Sequence, residues 1–271
     1  MNEFATASEV ALRTEGGGGP AVFGAELDPR WAVGDKLHGG YLMAVLGRAS
    51  AAAGGDHRDL LSMSASFVRP PAPGPARVEV EVLRAGRGST QSRARLLQDS
   101  GVCAEALTVT GLLGEDGPHW SRSEAARLPA EEECPPSPAD APGGFRVPLM
   151  DVVDQRLDPG TLGFAAGAPS MRGEIAGWQR LADGSDWDPL SLLVALDMVP
   201  PVSYDLGLPG WAPTVQMSSY IRRRPAPGPV RVRMNATEVG GDRMDVAVSA
   251  RDAKDRLVAQ ATQIAAVRTP R

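Results

Sequence analysis

The sequence predicts an α+β protein in which one unit, a helix with an antiparallel sheet, is written twice. Three observations carry this. The string PAPGP occurs at Pro71 and again at Pro225, 154 residues apart, each time after a short basic run and before a strand-like segment. Matching strings at one long offset mark a duplicated structural unit. Residues 76–84 (ARVEVEVLR) and 243–251 (RMDVAVSAR) alternate apolar and polar side chains, the period of a half-buried strand. Each half also places one strongly apolar helical segment ahead of its strands.

Taken in order, the first 19 residues read as a flexible N-terminal tail. They lack the basic start and long apolar run of a secretory signal. The first unit spans 20–113. It opens with a strand near 21–31, followed by GGYLMAVLGRASAAAG, where Leu42, Val45, Leu46 and Ala49 recur at helical spacing. Strands follow at 62–69, 76–84, 91–97 and 102–112, separated by PAPGP, AGRG and QDSG turns. Residues 114–145, rich in Pro, Glu, Ala and Gly, have the composition of a linker.

The second unit spans 146–271. Leading strands are expected near 148–156 and 173–181. The helix is DPLSLLVALDMVPP: Asp188 suits the N-cap, Pro189 the first helical position, and Pro200 and Pro201 forbid continuation. Strands follow at 214–223, 230–238, 243–251 and 256–268.

Composition bounds the function. A chain of 271 residues forms one large domain or two ordinary ones. The formal net charge of −5 argues against nucleic acid as an electrostatic partner. Cys103 and Cys134 form no CxxC pair, so neither a zinc cluster nor a disulfide framework is expected, and a reducing, cytoplasmic setting fits. No run of 18 apolar residues is present, so no membrane span is expected. No cofactor or metal is called for.

A long helix wrapped by an antiparallel sheet, duplicated in one chain, resembles the double hotdog fold. Specific strings resemble the acyl-CoA thioesterase II family. These are LHGGYLMAVLGRA for its first helix and SASFVRPPAPG for the next strand, then GWQRLADG, LVALDMVPP, APTVQMSSYIRRRP and VAQATQIAAV in the family's order. The resemblance implies hydrolysis of an acyl-CoA thioester by a water held by a carboxylate, a hydroxyl and a carboxamide. Here they correspond to Asp197, Thr214 and Gln263. Gln216 stands where relatives often carry an acid, which leaves pocket electrostatics and substrate choice open. A non-catalytic acyl-CoA or acyl-carrier binding protein is the alternative. Sheet edges that need covering make a homodimer or higher homo-oligomer the expected assembly.

The residues themselves carry part of this. Asp197 falls on one helical stripe with Leu190, Leu193 and Val194, and a carboxylate facing a core must be paired or hydrogen-bonded. It is either a tuned general base or a structural acid satisfied by its neighbours. Gln263 projects among Leu257, Ala259, Ala261, Ala265 and Val267; the matching position in the first half is Thr108, and the first helix has no acid. Alternation places Thr214 with Gln216, Ser218 and Tyr220, so it reaches the site only if that face is the pocket side. Gly39 and Gly40 open a helix whose free N–H groups suit a developing oxyanion, Gly40 for preference; a tight entry turn is the other reading. His38 beside them packs, caps or binds substrate. Arg222, Arg223 and Arg224 either meet coenzyme A phosphates or form a solvated strand end.

Overall fold

Alternating sequence becomes one continuous antiparallel sheet. The computed structural model describes residues 2–114, 117–123, 127–140 and 144–269. The first half contains helix α1 (Glu3–Ala7), strands β1 (Val10–Thr14) and β2 (Ala21–Leu27), and a small hairpin of β3 (Ala32–Val33) and β4 (Lys36–Leu37). Helix α2 (Gly39–Ala53) and strands β5 (Asp59–Phe67), β6 (Gly74–Ala85), β7 (Thr90–Gln98) and β8 (Gly101–Gly111) complete it. The second half contains β9 (Val153–Leu157), β10 (Glu174–Leu181), α3 (Leu192–Leu196), β11 (Thr214–Ile221), β12 (Val230–Gly240), β13 (Arg243–Arg251) and β14 (Leu257–Ala266).

Twelve strands form the sheet in the order β1-β2-β6-β7-β8-β5-β11-β14-β13-β12-β10-β9. Exchanging β1 with β9, β2 with β10, and each of β5 to β8 with β11 to β14 in a fixed pairing returns the same order read backwards. The centre is the β5–β11 pair, where Ser64 lies opposite Ser218 with hydroxyls 3.0 Å apart. Those two serines are separated by 154 residues, the offset of the PAPGP strings. The repeated turn is also held the same way in each half. The Ala72 N–H donates to Gln98 Oε1 at 2.9 Å, and the Ala226 N–H donates to Asp252 Oδ2 at 3.0 Å. Gln98 and Asp252 are again 154 apart.

Helix α2 lies on the inner face of β5 to β8 and buries Tyr41 through Leu46 and Ala49, as its apolar spacing predicts. The Tyr41 hydroxyl donates to the Ala7 carbonyl at 2.6 Å and accepts the Asp28 N–H at 3.0 Å; burial pushes its pKa up to about 12. Two glycines let α2 closely approach α3 and the residues just before it. A Cβ on Gly40 would lie 2.2 Å from the Leu193 carbonyl oxygen, and one on Gly47 would lie 2.9 Å from Leu190 Cδ2. The need is for space, because neither Gly39 nor Gly40 has a positive φ, which corrects the reading of a turn with unusual dihedrals.

Three further expectations change. The second helix is a single α-helical turn. Asp188 does act as a cap, accepting the Leu190 and Ser191 N–H groups at 2.9 and 2.6 Å, but the chain leaves helical geometry at Asp197 (φ −97°, ψ 54°). Pro200 and Pro201 have no N–H with which to continue the ladder. Residues 3–14, assigned by composition to a flexible tail, form α1 and β1. Phe4 is buried edge-on to Trp31 at 5.3 Å, and β1 pairs with β2. Part of the linker is anchored: the Ser137 N–H donates to the Gln155 carbonyl at 2.7 Å, Trp178 Nε1 to the Pro129 carbonyl at 3.0 Å, and Arg180 pairs with Glu131 at 2.6 Å. Linker residues 115–116, 124–126 and 141–143 lie outside the described residues. Among the described residues no helix is long and apolar enough to cross a membrane.

Gly40→Ala should lower stability by at least ~1–3 kcal/mol, the range for overpacking, because the clash is with backbone. A reduced urea midpoint with an unchanged m-value is the expected readout. Asp252 yields a pH prediction. Burial alone would push its carboxyl up, but the Arg256 guanidinium and the Ala226 and Arg256 N–H groups hold it below the usual carboxylate range. A depressed folded pKa stabilises above the unfolded value, about 3.9, and that contribution fades as pH falls through the folded one. Thermal melts should therefore show Asp252→Asn less stable than wild type at pH 7, with the gap shrinking below about pH 4.

Candidate active site

Asp197 is the first residue beyond α3, so its side chain leaves the helix end beside the start of α2. The Asp197 N–H still donates to the Val194 carbonyl at 3.2 Å, and its carboxylate is only 13% exposed. Oδ2 accepts the Gly40 N–H at 2.9 Å and lies 3.3 Å from His38 Nε2. His38 Nε2 is also 2.6 Å from the Asp197 carbonyl oxygen. A carbonyl can only accept, so Nε2 carries the proton in the neutral ring, leaving Nδ1 as an acceptor. Nδ1 is buried and has no hydrogen-bond partner among the described residues. One carboxylate oxygen is thus pinned by the first half of the chain. The other, Oδ1, lies 3.5 Å from the Thr214 hydroxyl, which is 3.4 Å from Gln263 Oε1.

Thr214 reaches this group because the strand is irregular. The pairing of β11 with β14 slips between Thr214 and Gln216, leaving Val215 as an extra, exposed residue. Such a bulge turns every side chain on one side of it to the other face. Thr214 therefore points inward, whereas Gln216, Ser218 and Tyr220 point out. Alternation alone predicts one face for all four. Gln216 donates to Ser64 and Ser218 Oγ at 2.8 Å each on the outer face, so it has no part in pocket electrostatics. Gln263 faces inward among the small residues expected of β14 and is 7% exposed.

Asp197, Thr214, Gln263, His38 and Gly39 line one cavity of about 380 Å³. Gly40 stands behind it with its N–H given to Asp197, which corrects the preference for Gly40 as a free donor. The Gly39 N–H has no acceptor among the described residues. A Cβ on Gly39 would lie 2.8 Å from Asp197 Oδ2 and 3.0 Å from Phe67 Cζ. The three consecutive arginines do not line the cavity. Arg222 stacks over Tyr220 at 5.1 Å and donates to Gln260 at 3.3 Å. Arg224 pairs with buried Asp59, and Arg223 Nε is buried without a partner among the described residues. They sit at the end of β11 remote from Thr214. The cations at the cavity rim are instead Lys36 and Arg69. Sequence reasoning missed Gln155, Met234, Met244, Phe164 and Tyr204, all of which line the cavity.

The mirrored position in the first half keeps the geometry and loses the chemistry. Pairing of β5 with β8 slips between Leu60 and Ser62, the same irregularity 154 residues earlier. Leu60 stands where Thr214 stands in the second half. Thr108 lies opposite Met63 as Gln263 lies opposite Met217. Leu60 and Met63 pack toward Gly47 and are 1% exposed each.

Comparison with known proteins bears on both halves. Residues 27–111 match the family model of the acyl-CoA thioesterase N-terminal domain, and residues 131–267 match that of the C-terminal domain. An uncharacterized protein of Mycobacterium tuberculosis strain H37Rv is 31% identical, over 97% of this chain and 98% of the relative. The crystal structure of a candidate thioesterase II from Thermobifida fusca superposes with a TM-score of 0.88 at 31% identity, covering 99% of this chain and 98% of that one. A hot dog fold protein of unknown function from Alicyclobacillus acidocaldarius superposes with a TM-score of 0.82 at 21% identity, over the whole of both chains. That last likeness bears on fold alone.

Proposed function

The chain belongs to the acyl-CoA thioesterase family, and from that premise we propose that it hydrolyses an acyl-CoA thioester to the free acid and coenzyme A, using Asp197, Thr214 and Gln263 to activate water. The fold reading that goes with it is a double hotdog. One unit carries the long helix α2, and a second unit, starting by about residue 131, carries the one-turn helix α3.

The observation that carries the reading is the division of labour on one carboxylate. Oδ2 accepts the Gly40 N–H while His38 Nε2 holds the Asp197 carbonyl, so Oδ1 is left toward Thr214, whose hydroxyl also approaches Gln263. The two long contacts of the Thr214 hydroxyl, 3.5 and 3.4 Å, suit a water that bridges Oδ1, the hydroxyl and the carboxamide oxygen. In this mechanism Asp197 takes a proton from the water as its oxygen attacks the thioester carbonyl carbon. The carbonyl electron pair moves onto oxygen, and in this reading the Gly39 N–H at the start of α2 donates to it. Collapse of the tetrahedral intermediate breaks the carbon–sulfur bond, and the proton held by Asp197 goes to the departing thiolate. No covalent acyl-enzyme forms. His38 serves as the donor that keeps Asp197 in one orientation.

Release of free thiol from a panel of acyl-CoAs tests this. Asp197→Asn should lower kcat by roughly 10²–10⁴-fold, the usual contribution of a positioned general base, while the thermal melt stays cooperative. Gln263→Leu should also lower kcat, with little change in KM. Turnover at the wild-type rate in Asp197→Asn would remove the acid from the mechanism. Tight binding of acyl-CoA by a wild type that releases no thiol would favour the non-catalytic binding protein.

A further inference from the structure

The two halves differ most in what lies against the concave face of their sheets. Helix α2 has 15 residues and α3 has five. At 1.5 Å per residue, the second half lacks about 15 Å of the helix that fills the first. Beyond Asp197 the chain passes through Val199–Pro201 and returns as a 3₁₀ turn, Val202–Leu206, which packs on β12. The detour supplies Tyr204 to the cavity wall, and Met234 and Met244 from β12 and β13, Leu157 from β9, and Leu162 and Phe164 line the same cavity; these residues are taken together as its apolar arm. The Phe164 and Tyr204 rings pack together with centroids 5.6 Å apart. In the first half, Val80 stands 154 residues before Met234 and is buried on the face that α2 covers.

We propose that the acyl chain of the substrate occupies, in the second half, the place that the later turns of α2 occupy in the first, and that Met234 and Met244 set the length and bulk of chain accepted. This rests on the hydrolase reading above. Three features define the ligand. Of the residues lining the whole cavity only Lys36, Arg69 and Asp197 are formally charged, and the two cations are exposed at the rim. The one amide in the apolar arm is committed. Gln155 Nε2 donates to Ser137 Oγ at 2.8 Å and to the Val199 carbonyl, and Gln155 Oε1 accepts from Gln179 at 3.1 Å. A charged chain end would be buried there with no opposite charge beside it, which is costly. Volume sets the length. A dry cavity of about 150 Å³ takes the six carbons of benzene, so 380 Å³ takes on the order of 15 heavy atoms. With the thioester and the first atoms of its thiol arm included, that leaves an uncharged acyl chain of about ten carbons. Methionine suits such a wall, being unbranched and able to repack around a flexible chain.

The test is thiol release from straight-chain acyl-CoAs, comparing butyryl-CoA with decanoyl-CoA. Wild type should prefer decanoyl-CoA. Met234→Trp and Met244→Trp should each lower kcat/KM for decanoyl-CoA by about tenfold or more while leaving butyryl-CoA within a few-fold, because only the long chain reaches the filled space. Met234→Ala enlarges the arm and should shift the optimum to longer chains; it covers the case in which a Trp variant fails to melt cooperatively. Equal loss on both substrates in variants that still fold, or no change in the preference in any variant, would overturn the proposal. A wild type inert toward every acyl-CoA would sink the hydrolase reading instead. The acyl site is then read by the rise in Tm that free decanoate gives, which Met244→Trp should abolish and butyrate should not reproduce. Equal stabilisation by the two acids would refute the apolar arm as a chain site.

Discussion

The contact between the Gly40 backbone and the Asp197 carboxylate is the constraint on which the rest of the structure depends. Asp197 is carried by the second half and anchored by the first. The N-terminal end of α2 supplies both an unpaired N–H and a partial positive charge to that carboxylate. A side chain at Gly40 would separate the two helices, since its Cβ would overlap the Leu193 carbonyl. Site and interface between halves are therefore one feature. Anything that loosens the approach of α2 to α3 also turns the acid away from Thr214 and Gln263, and neither half can hold the carboxylate in this orientation alone.

Much of this was legible in the sequence, for reasons that can be named. Val78, Val80 and Val82 alternate with glutamates because β6 has its Val78 and Val80 side buried and the other side largely wet. The PAPGP strings mark corresponding turns because both are clamped by side chains 154 residues apart in sequence, Gln98 and Asp252. Asp197 and Gln263 stand out because polar groups amid Leu and Ala require a reason. The failures share a cause: each local pattern was extended past the point where tertiary structure breaks it. Alternation carried from Ser218 back to Thr214 gives the wrong face, because one extra residue at Val215 reverses it. Helical periodicity carried through Asp197 gives a helix too long by more than a turn. Charge alone leaves the strand-end arginines open as phosphate ligands or a solvated end, whereas Arg224 is paired with Asp59 at the far end of β11. The segment before β2 looked like a tail because Phe4 is a single aromatic among small and polar residues; only the pocket beside Trp31 gives it a place to go.

The correspondence between the two halves of the sheet separates what the fold supplies from what the side chains supply. Both halves bulge at the same point, before Ser62 and before Gln216, so the inward-turned residue exists twice as a position. In one half that position holds Leu60, with Thr108 opposite Met63 on the neighbouring strand; in the other it holds Thr214, with Gln263 opposite Met217. Backbone geometry alone therefore makes no site. The same bulge serves packing when it presents a leucine, and presents a hydroxyl to a carboxylate when it carries a threonine.

A division of this kind also follows from how cores are filled. A sheet of this curvature buries its inner face only if something apolar lies against it, and an unfilled hollow costs stability roughly in proportion to its volume. Two long helices would fill both concavities and leave no room for a ligand. Two short ones would open both and weaken the core that the whole chain shares. With α2 complete, the first half packs its concavity with its own Leu42, Val45, Leu46 and Ala49. The second half can then keep a cavity lined by methionines at the point where its helix stops, and the residue at which it stops is Asp197. The event that ends the helix thus does two things at once: it opens the hollow, and it leaves the acid at its mouth.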